Sequence, residues 1–599
     1  MFNSLFAKEV QSVFDKSEAA ANQNNGPFPS PADWRDQVIY FLMVDRFNNP
    51  KQKPIHQPYD DPSFGGYQGG TFEGIKQQLP YIKSLGIGAI WLSPVLKNLP
   101  WDDGCYHGYG IHDFLRAHPK FATVAANADD ELRSLVDAAH AAGLYVILDI
   151  VLNHTGDVFA YNGNATASFS PAPYPVQWRN AKGVANSSWP DVSAVPSPST
   201  DSIVWPSEFQ RNDYFRRQGK CQGDSTTGDF ESLKQLVTEN LDVQRFLIRA
   251  YQYVIARYDV DGFRIDTLRY LKNNLAQVFG NAIREYALVL GKKNFFTFGE
   301  ILDNDPESDF VNFIGRDTRL GDDGNAPVGV DAALDYPLYS TLVSTLKGFA
   351  PPSSVVGMYN RRKQLDQFVL SSHGDASRYF VTFLDNHDMK KRFRWIEPGN
   401  PNQFDDQVTM GIACLYSLPG IPCIYYGTEQ GLHGWSPTGQ DDPAVREALW
   451  GIAPTFPKTT SFYLEMQKIV AVRNAQPALR YGRFYFRPIS GDGFNFGIST
   501  FSNGILAWSR ILNDEEVIVV ANTDAATPRA VDVILDANLS AAGQNLQILY
   551  SNKKTPTPPN PVRFLPQASV NEVNGATGTG PLNAARVTLF PMEVQILRV

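Results

Sequence analysis

NLDVQRFLIRAYQYVIARYDVDGFRID, residues 240–266, is the stretch on which the fold turns. Its first part carries apolar residues at helical spacing and reads as an amphipathic helix. Its end, DGFRID (261–266), is a short apolar run of the kind that forms a buried strand. Upstream, ADDELRSLVDAAHAAG is a second helical pattern, and it runs into a second such strand, YVILDIV (145–151). The same alternation extends in both directions. VIYFLMV (38–44) and GAIWLS (88–93) come earlier, and FFTFGE (295–300), VDAALD (330–335), YFVTFLD (379–385) and IPCIYYG (421–427) follow. Continuous hydrophobic strands alternating with helices imply a parallel sheet covered on both faces, and eight of them is the number that closes a (β/α)8 TIM barrel. Periodicity alone also admits a doubly wound open sheet.

The spacing breaks between the third and fourth runs, where more than a hundred residues intervene. Pro, Ser, Asn, Gly and Trp dominate residues 156–235, which read as a small inserted domain over the C-terminal ends of the barrel strands, where clefts are built. Past residue 475 the pattern becomes short alternating strands, FNFGISTF, GILAWSRIL, EVIVVANT and others, the mark of an antiparallel β-sandwich. The expected division is an N-terminal helical extension (1–30), a barrel (31–155 and 236–475), the insert (156–235) and the sandwich (476–599). Residues 552–582, rich in Pro, Thr, Gly and Asn, are expected to form a long loop or edge.

Composition limits the function. The 599 residues carry a formal charge of -9, with no run of Lys and Arg, which argues against nucleic acid or an anionic membrane as partner. The apolar stretch 411–427 is interrupted by Ser417, Pro419 and Pro422 and reads as helix end, turn and strand rather than a membrane span. Lys8, Glu9, Asp15 and Lys16 interrupt the N-terminal stretch, so it reads as a short amphipathic helix rather than a secretory signal, and a cytoplasmic location is expected. Four cysteines in so long a chain, at spacings unlike a zinc site, read as free thiols.

Polar residues gather where the strands end. Asp149, Asn153 and His154 accompany the third run, Arg264 and Asp266 the fourth, Glu300 the fifth, and His387 and Asp388 the seventh. In a barrel these ends face one pocket. One such aspartate is usually a helix cap, but several converging on one rim are not explained by capping. Paired carboxyl groups suit glycosidic cleavage: one acid protonates the leaving oxygen, and one carboxylate attacks the anomeric carbon or activates water. Arg264 stands two residues before Asp266, on the same strand face, where its charge is expected to keep Asp266 ionised. The apolar run before Glu300 suits a proton donor.

DIVLNH (149–154), DGFRID (261–266), FGE (298–300) and FLDNHD (383–388) resemble the four signature regions of the α-amylase superfamily, glycoside hydrolase family thirteen, in the family's order. GTFEGIKQQLPYIKSLGIGAIWLSPV, YHGYGIHDF and IYYGTEQG support the match, which covers about residues 36–475. The resemblance implies Asp266 as nucleophile, Glu300 as general acid/base and Asp388 as the aspartate that holds sugar hydroxyls. It places Arg264, His154, His387, Tyr109 and His107 around the substrate and gives Asp149 a structural role. No cofactor is implied for the chemistry. Asn153 is a candidate ligand of a structural calcium, although Arg269 and Tyr270 stand where many members carry Lys-His, and Gly110 stands where Trp often follows the HGY triplet. Three functions fit: a retaining hydrolase of α-1,4-glucans or maltooligosaccharides, a glucanotransferase using the same site, and a non-catalytic carbohydrate-binding relative. The presence of all three carboxylates disfavours the last.

Overall fold

The computed structural model describes residues 3–21, 23, 26–56, 65–223, 225–271, 275–302, 310, 313–317, 329–366, 369–371, 374–434, 442–571 and 575–599. Eight parallel strands form the central sheet: β1 (Ile39–Leu42), β2 (Ala89–Leu92), β3 (Tyr145–Val151), β4 (Gly262–Asp266), β5 (Phe296–Gly299), β6 (Ala332–Ala333), β7 (Val381–Thr382) and β8 (Ile421–Tyr425). They run β6-β5-β4-β3-β2-β1-β8-β7, and a parallel bridge between Leu334 and Val381 joins the two ends. The sheet is therefore a closed barrel, and the open doubly wound alternative is set aside.

The helix of the opening stretch spans Leu241–Tyr258. Asn240 starts it, its side-chain oxygen accepting the N–H groups of Asp242 at 2.9 Å and Val243 at 3.4 Å, which satisfies two otherwise unpaired donors. Asp259 ends it at φ 62°, where the left-handed turn stops further helical bonding. Val243, Leu247, Ala250, Tyr251, Val254 and Tyr258 face the sheet and are buried. Strand β4 is buried throughout: Phe263 packs on Tyr251 and Phe279 from the helix layer, and its alternate residues, Arg264 and Asp266, share the opposite face. At the foot of β4, Asp261 pairs with Lys292 at 2.7 Å and His140 at 2.8 Å.

Large rings fill the barrel interior. Phe41 stacks on Trp91 at 3.8 Å, and Trp91 meets Phe298 edge-on at 5.5 Å. The N-terminal helix, Lys8–Ala21, buries Val10 and Phe14, and Phe14 packs edge-on against Tyr253. Between β3 and β4, the pair His154–Thr155 with Lys234–Gln235 ties the long excursion back to the barrel. Two five-stranded sheets form the C-terminal sandwich, antiparallel except where Asn495–Phe496 pairs parallel with Ser569–Val570. The stretch expected as loop or edge is a loop over 552–562, and beyond it Arg563–Asn571 forms a strand against Thr577–Leu589. Cross-strand pairing there overrides the Thr- and Gly-rich composition; residues 572–574 lie outside the described residues. The four cysteines are free, and among the described residues no helix is long and apolar enough to cross a membrane.

Candidate active site

The strand register sets the catalytic pair. Ile265 pairs with Gly299 across β4 and β5, and the Glu300 N–H donates to the Ile265 carbonyl at 2.9 Å. Asp266 and Glu300 thus follow side by side on neighbouring strands, which lie about 4.8 Å apart. Arg264 holds both: Nη1 lies 2.9 Å from Asp266 Oδ1, and Nη2 lies 2.9 Å from Glu300 Oε2. The same Nη1 donates to Asp149 Oδ1 at 2.8 Å. Asp149 Oδ2 in turn accepts from the Tyr109 hydroxyl at 2.8 Å and from Trp91 Nε1 at 3.3 Å. Burial lifts the Asp149 carboxyl to about 7 against the pull of Arg264.

Three carboxyl groups around one guanidinium leave the cluster with excess negative charge. Burial, opposed by Arg264 but reinforced by Glu300, Asp149 and Asp388, pushes the Asp266 carboxyl well above its ordinary range. This corrects the expectation that Arg264 lowers the Asp266 carboxyl and so keeps it ionised: the guanidinium is shared among three carboxyl groups, and the shift is upward. Arg264 itself is fully buried and touches the carboxylates rather than the cavity.

Above this cluster opens a cavity of about 580 Å³. His107, Tyr109, His154, Asp266, Glu300, His387 and Asp388 line it, so the structure brings together every site residue expected from sequence except Arg264, which lies beneath, and Asn153. His154 Nε2 is buried, has no hydrogen-bond partner among the described residues and lies 3.9 Å from Asp266 Oδ2. Burial holds its ring at about 4, so the imidazole is neutral and can bond a ligand hydroxyl. His387 Nε2 meets the Tyr109 hydroxyl at 2.8 Å and Asp388 Oδ2 at 3.2 Å. His107 Nδ1 accepts the Tyr109 N–H at 3.1 Å. Gly110 has a steric reason, since a Cβ there would sit 2.3 Å from Cys105 Sγ.

Several residues in or beside the cavity escaped the sequence reading. Arg446 donates to the His387 carbonyl at 2.9 Å and to the Tyr106 hydroxyl at 3.1 Å, and its Nη2 meets Asp388 Oδ1 at 3.2 Å. It lies beyond β8 in no recognisable pattern. Tyr336 donates to Glu300 Oε1 at 3.2 Å; its place just past the VDAALD run was the available signal. The Thr267 N–H donates to Glu300 Oε2 at 3.1 Å. Phe230 and Tyr270, an edge-on pair at 5.6 Å, form an apolar rim with Leu233 and Leu302.

The calcium expectation is corrected by the donors around Asn153. Its Oδ1 accepts from Gln235 Nε2 at 3.1 Å, and its carbonyl accepts the Leu236 N–H at 2.9 Å. Next to Gln235, the fully buried Lys234 ammonium lies 2.9 Å from Asp157 Oδ1 and 3.8 Å from Asp229 Oδ2, and it donates to the Ala165 carbonyl. Arg179 adds a second cation, 2.8 Å from Asp157 Oδ2. At Asn153 both the side-chain oxygen and the carbonyl are already engaged, and the neighbouring carboxylates Asp157 and Asp229 are taken up by protein cations, so this donor set does not fit calcium. Among the described residues no group of three or more His, Cys, Asp or Glu could hold a metal ion.

A closed (β/α)8 barrel with an arginine-bridged carboxylate pair at the C-terminal ends of β4 and β5 defines a glycoside-cleaving class of barrel. The chain belongs to the α-amylase family: residues 41–478 match the family described as alpha amylase, catalytic domain. It is 30% identical over 511 residues to the beta/alpha-amylase of Paenibacillus polymyxa, a match covering 83% of this chain and 34% of that protein. It is 26% identical over 555 residues to the cyclomaltodextrin glucanotransferase of Geobacillus stearothermophilus, covering 90% of this chain and 65% of the relative. The chain thus spans about a third of the first relative and just under two thirds of the second. In three dimensions it resembles the α-amylase of Geobacillus thermoleovorans complexed with acarbose, with a TM-score of 0.64 and 23% identity over 95% of this chain and 99% of that one, a likeness of fold.

Proposed function

We propose that this protein cleaves α-1,4-linked glucans or maltooligosaccharides with retention of configuration. The observation that carries the reading is the placement of Asp266 and Glu300 side by side on one guanidinium, both lining the same cavity. In this mechanism Asp266 attacks the anomeric carbon while Glu300 gives its proton to the departing glycosidic oxygen. The resulting glucosyl–aspartate is opened from the opposite face by an acceptor whose proton Glu300 takes up. Asp388, held by Arg446, and the neutral His154 and His387 imidazoles bond the sugar hydroxyls. The acceptor is water in a hydrolase and a sugar in a glucanotransferase. The apolar Phe230–Tyr270 rim, which can stack on a second sugar, supports the latter as the alternative.

Proton NMR of early products should show the α-anomer first, with β appearing only by mutarotation; initial β-anomer would rule out the Asp266 nucleophile. Chromatography of maltoheptaose digests separates the two acceptors, since shorter sugars with glucose mean hydrolysis and longer or cyclic products mean transfer.

The pH dependence follows from the Asp266 environment. The residue works ionised, and its carboxyl is raised, so activity is lost as pH falls through that raised value. The acidic limb of kcat/KM should therefore lie above about pH 4, where an ordinary aspartate titrates. A limb at or below that point would mean that the excess negative charge is not felt.

A further inference from the structure

At the opposite end of the barrel from the catalytic mouth, a second cavity of about 190 Å³ lies between the foot of the barrel and the C-terminal sandwich. Pro419 and Gly420, just before β8, form part of its wall, as do Gly482 and Phe484 at the start of the sandwich. Among the described residues its charged lining is cationic: Arg35, Arg362, Lys363, Arg378, Arg480, Arg483 and Arg510 contribute, and no carboxylate does. That is unusual in a chain with a formal charge of -9.

Some of this charge is balanced from outside the cavity. Arg35 pairs with Asp33 at 2.6 Å, Arg362 is bridged to Asp335, and Arg480 pairs with Asp36. Arg510 differs. It is buried and donates to the carbonyls of Ser417 at 3.0 Å, Gly482 at 3.2 Å and Arg480 at 3.4 Å, and no carboxylate among the described residues reaches it. Carbonyl dipoles solvate a guanidinium without neutralising it. Burial and the repulsion of Arg473, Arg35 and Arg378 pull it down to about 9. A buried cation among like charges is stabilised by an anion that reaches the cavity.

We propose that this seam binds the phosphate group of inorganic phosphate or of a phosphomonoester such as a hexose phosphate. Guanidinium groups favour phosphate oxygens, and several cations around one small space favour a compact multiply charged anion over a chloride. Tyr359, Tyr481 and Phe484 supply flat walls beside the cations, suited to a short organic substituent. A polymer does not fit this volume.

Isothermal titration of the full chain at low salt, with inorganic phosphate in one arm and glucose 6-phosphate in the other, tests the site. Saturable binding of one equivalent is expected, with a rise in Tm that follows ligand concentration. Tighter binding of the hexose phosphate identifies the phosphomonoester as ligand; equal or tighter binding of inorganic phosphate identifies the free ion. The exposed Lys363 and Arg483 can be changed without disturbing the core. Lys363→Gln/Arg483→Gln should weaken binding at least tenfold and leave the catalytic cavity unaltered. Lys8→Gln/Arg245→Gln, which removes the same charge elsewhere on the surface, should bind as wild type. Absence of saturation with either compound up to about 10 mM, or equal weakening in both double variants, would overturn the proposal and leave the cluster as a structural joint only.

Discussion

Asp266→Asn should lower kcat by about 10⁴-fold or more while leaving the protein at least as thermally stable as wild type. The loss follows if Asp266 forms the bond to the sugar, because an amide cannot replace the carboxylate as nucleophile. The gain in stability follows from electrostatics. Asp149, Asp266 and Glu300 compete for one buried guanidinium, and removing one negative charge relieves their repulsion. Glu300→Gln should cost about 10²–10⁴-fold on a maltooligosaccharide, the usual worth of a positioned proton donor. On α-glucosyl fluoride, whose leaving group needs little protonation, bond cleavage should survive and the covalent intermediate should accumulate. Asp266→Asn should be inactive on both substrates. If Glu300→Gln is equally impaired on the fluoride, Glu300 is not the acid; if Asp266→Asn keeps turnover on either substrate, Asp266 is not the nucleophile.

The second large effect concerns the excursion between β3 and β4. Lys234→Met replaces a fully buried ammonium by an apolar group of similar length and leaves Asp157 and Asp229 facing one another across the gap. Breaking a buried ion pair on one side costs about 3–5 kcal/mol. Burial already lifts Asp229 to about 6 despite its bonds to Lys234, Tyr161 and the Gln235 N–H, so one carboxyl should take up a proton and part of the cost be recovered. The excursion should become cleavable by protease, and kcat should fall because Leu233 and Phe230 border the cavity and the pairing of Lys234–Gln235 with His154–Thr155 fixes His154. EDTA should leave wild-type Tm and activity unchanged, because the Asn153 side-chain oxygen is already engaged by Gln235. Resistance of Lys234→Met to proteolysis, or a wild-type Tm that drops with EDTA, would contradict this account.

How far the sequence alone reached depended on the range of the interactions involved. The barrel strands were legible because burial on both faces demands unbroken apolar runs, and each run announces itself locally. Asp266 and Glu300 were legible because they terminate such runs, and Asp388 because it follows one within three residues. Arg446 and Lys234 were not, since each is defined by partners far away in the chain. Asp388 lies 58 positions from Arg446 and Ala165 lies 69 from Lys234. Asn153 misled for the same reason: its oxygen was read as a ligand before its partner, Gln235, 82 positions on, could be seen. The hairpin of Arg563–Asn571 with Thr577–Leu589 was missed because strand pairing there compensates for weak local preference.

The packed rings of Phe41, Trp91 and Phe298 make the barrel a vessel closed beneath its mouth. Arg264 sits over Trp91 at 5.5 Å, so the floor of the catalytic cavity is solid, and nothing can thread from mouth to foot. Under the proposed mechanism a leaving fragment would depart on the same side of the barrel by which the next molecule arrives. The fate of a sugar held on Asp266, as proposed, would then be a matter of traffic at that mouth. A fragment that lingers against Phe230 and Tyr270 keeps water out and can be rejoined, whereas one that departs quickly cedes its place to water. Residence time at the rim, more than any change in the carboxylates, would decide whether this vessel cuts chains or rearranges them.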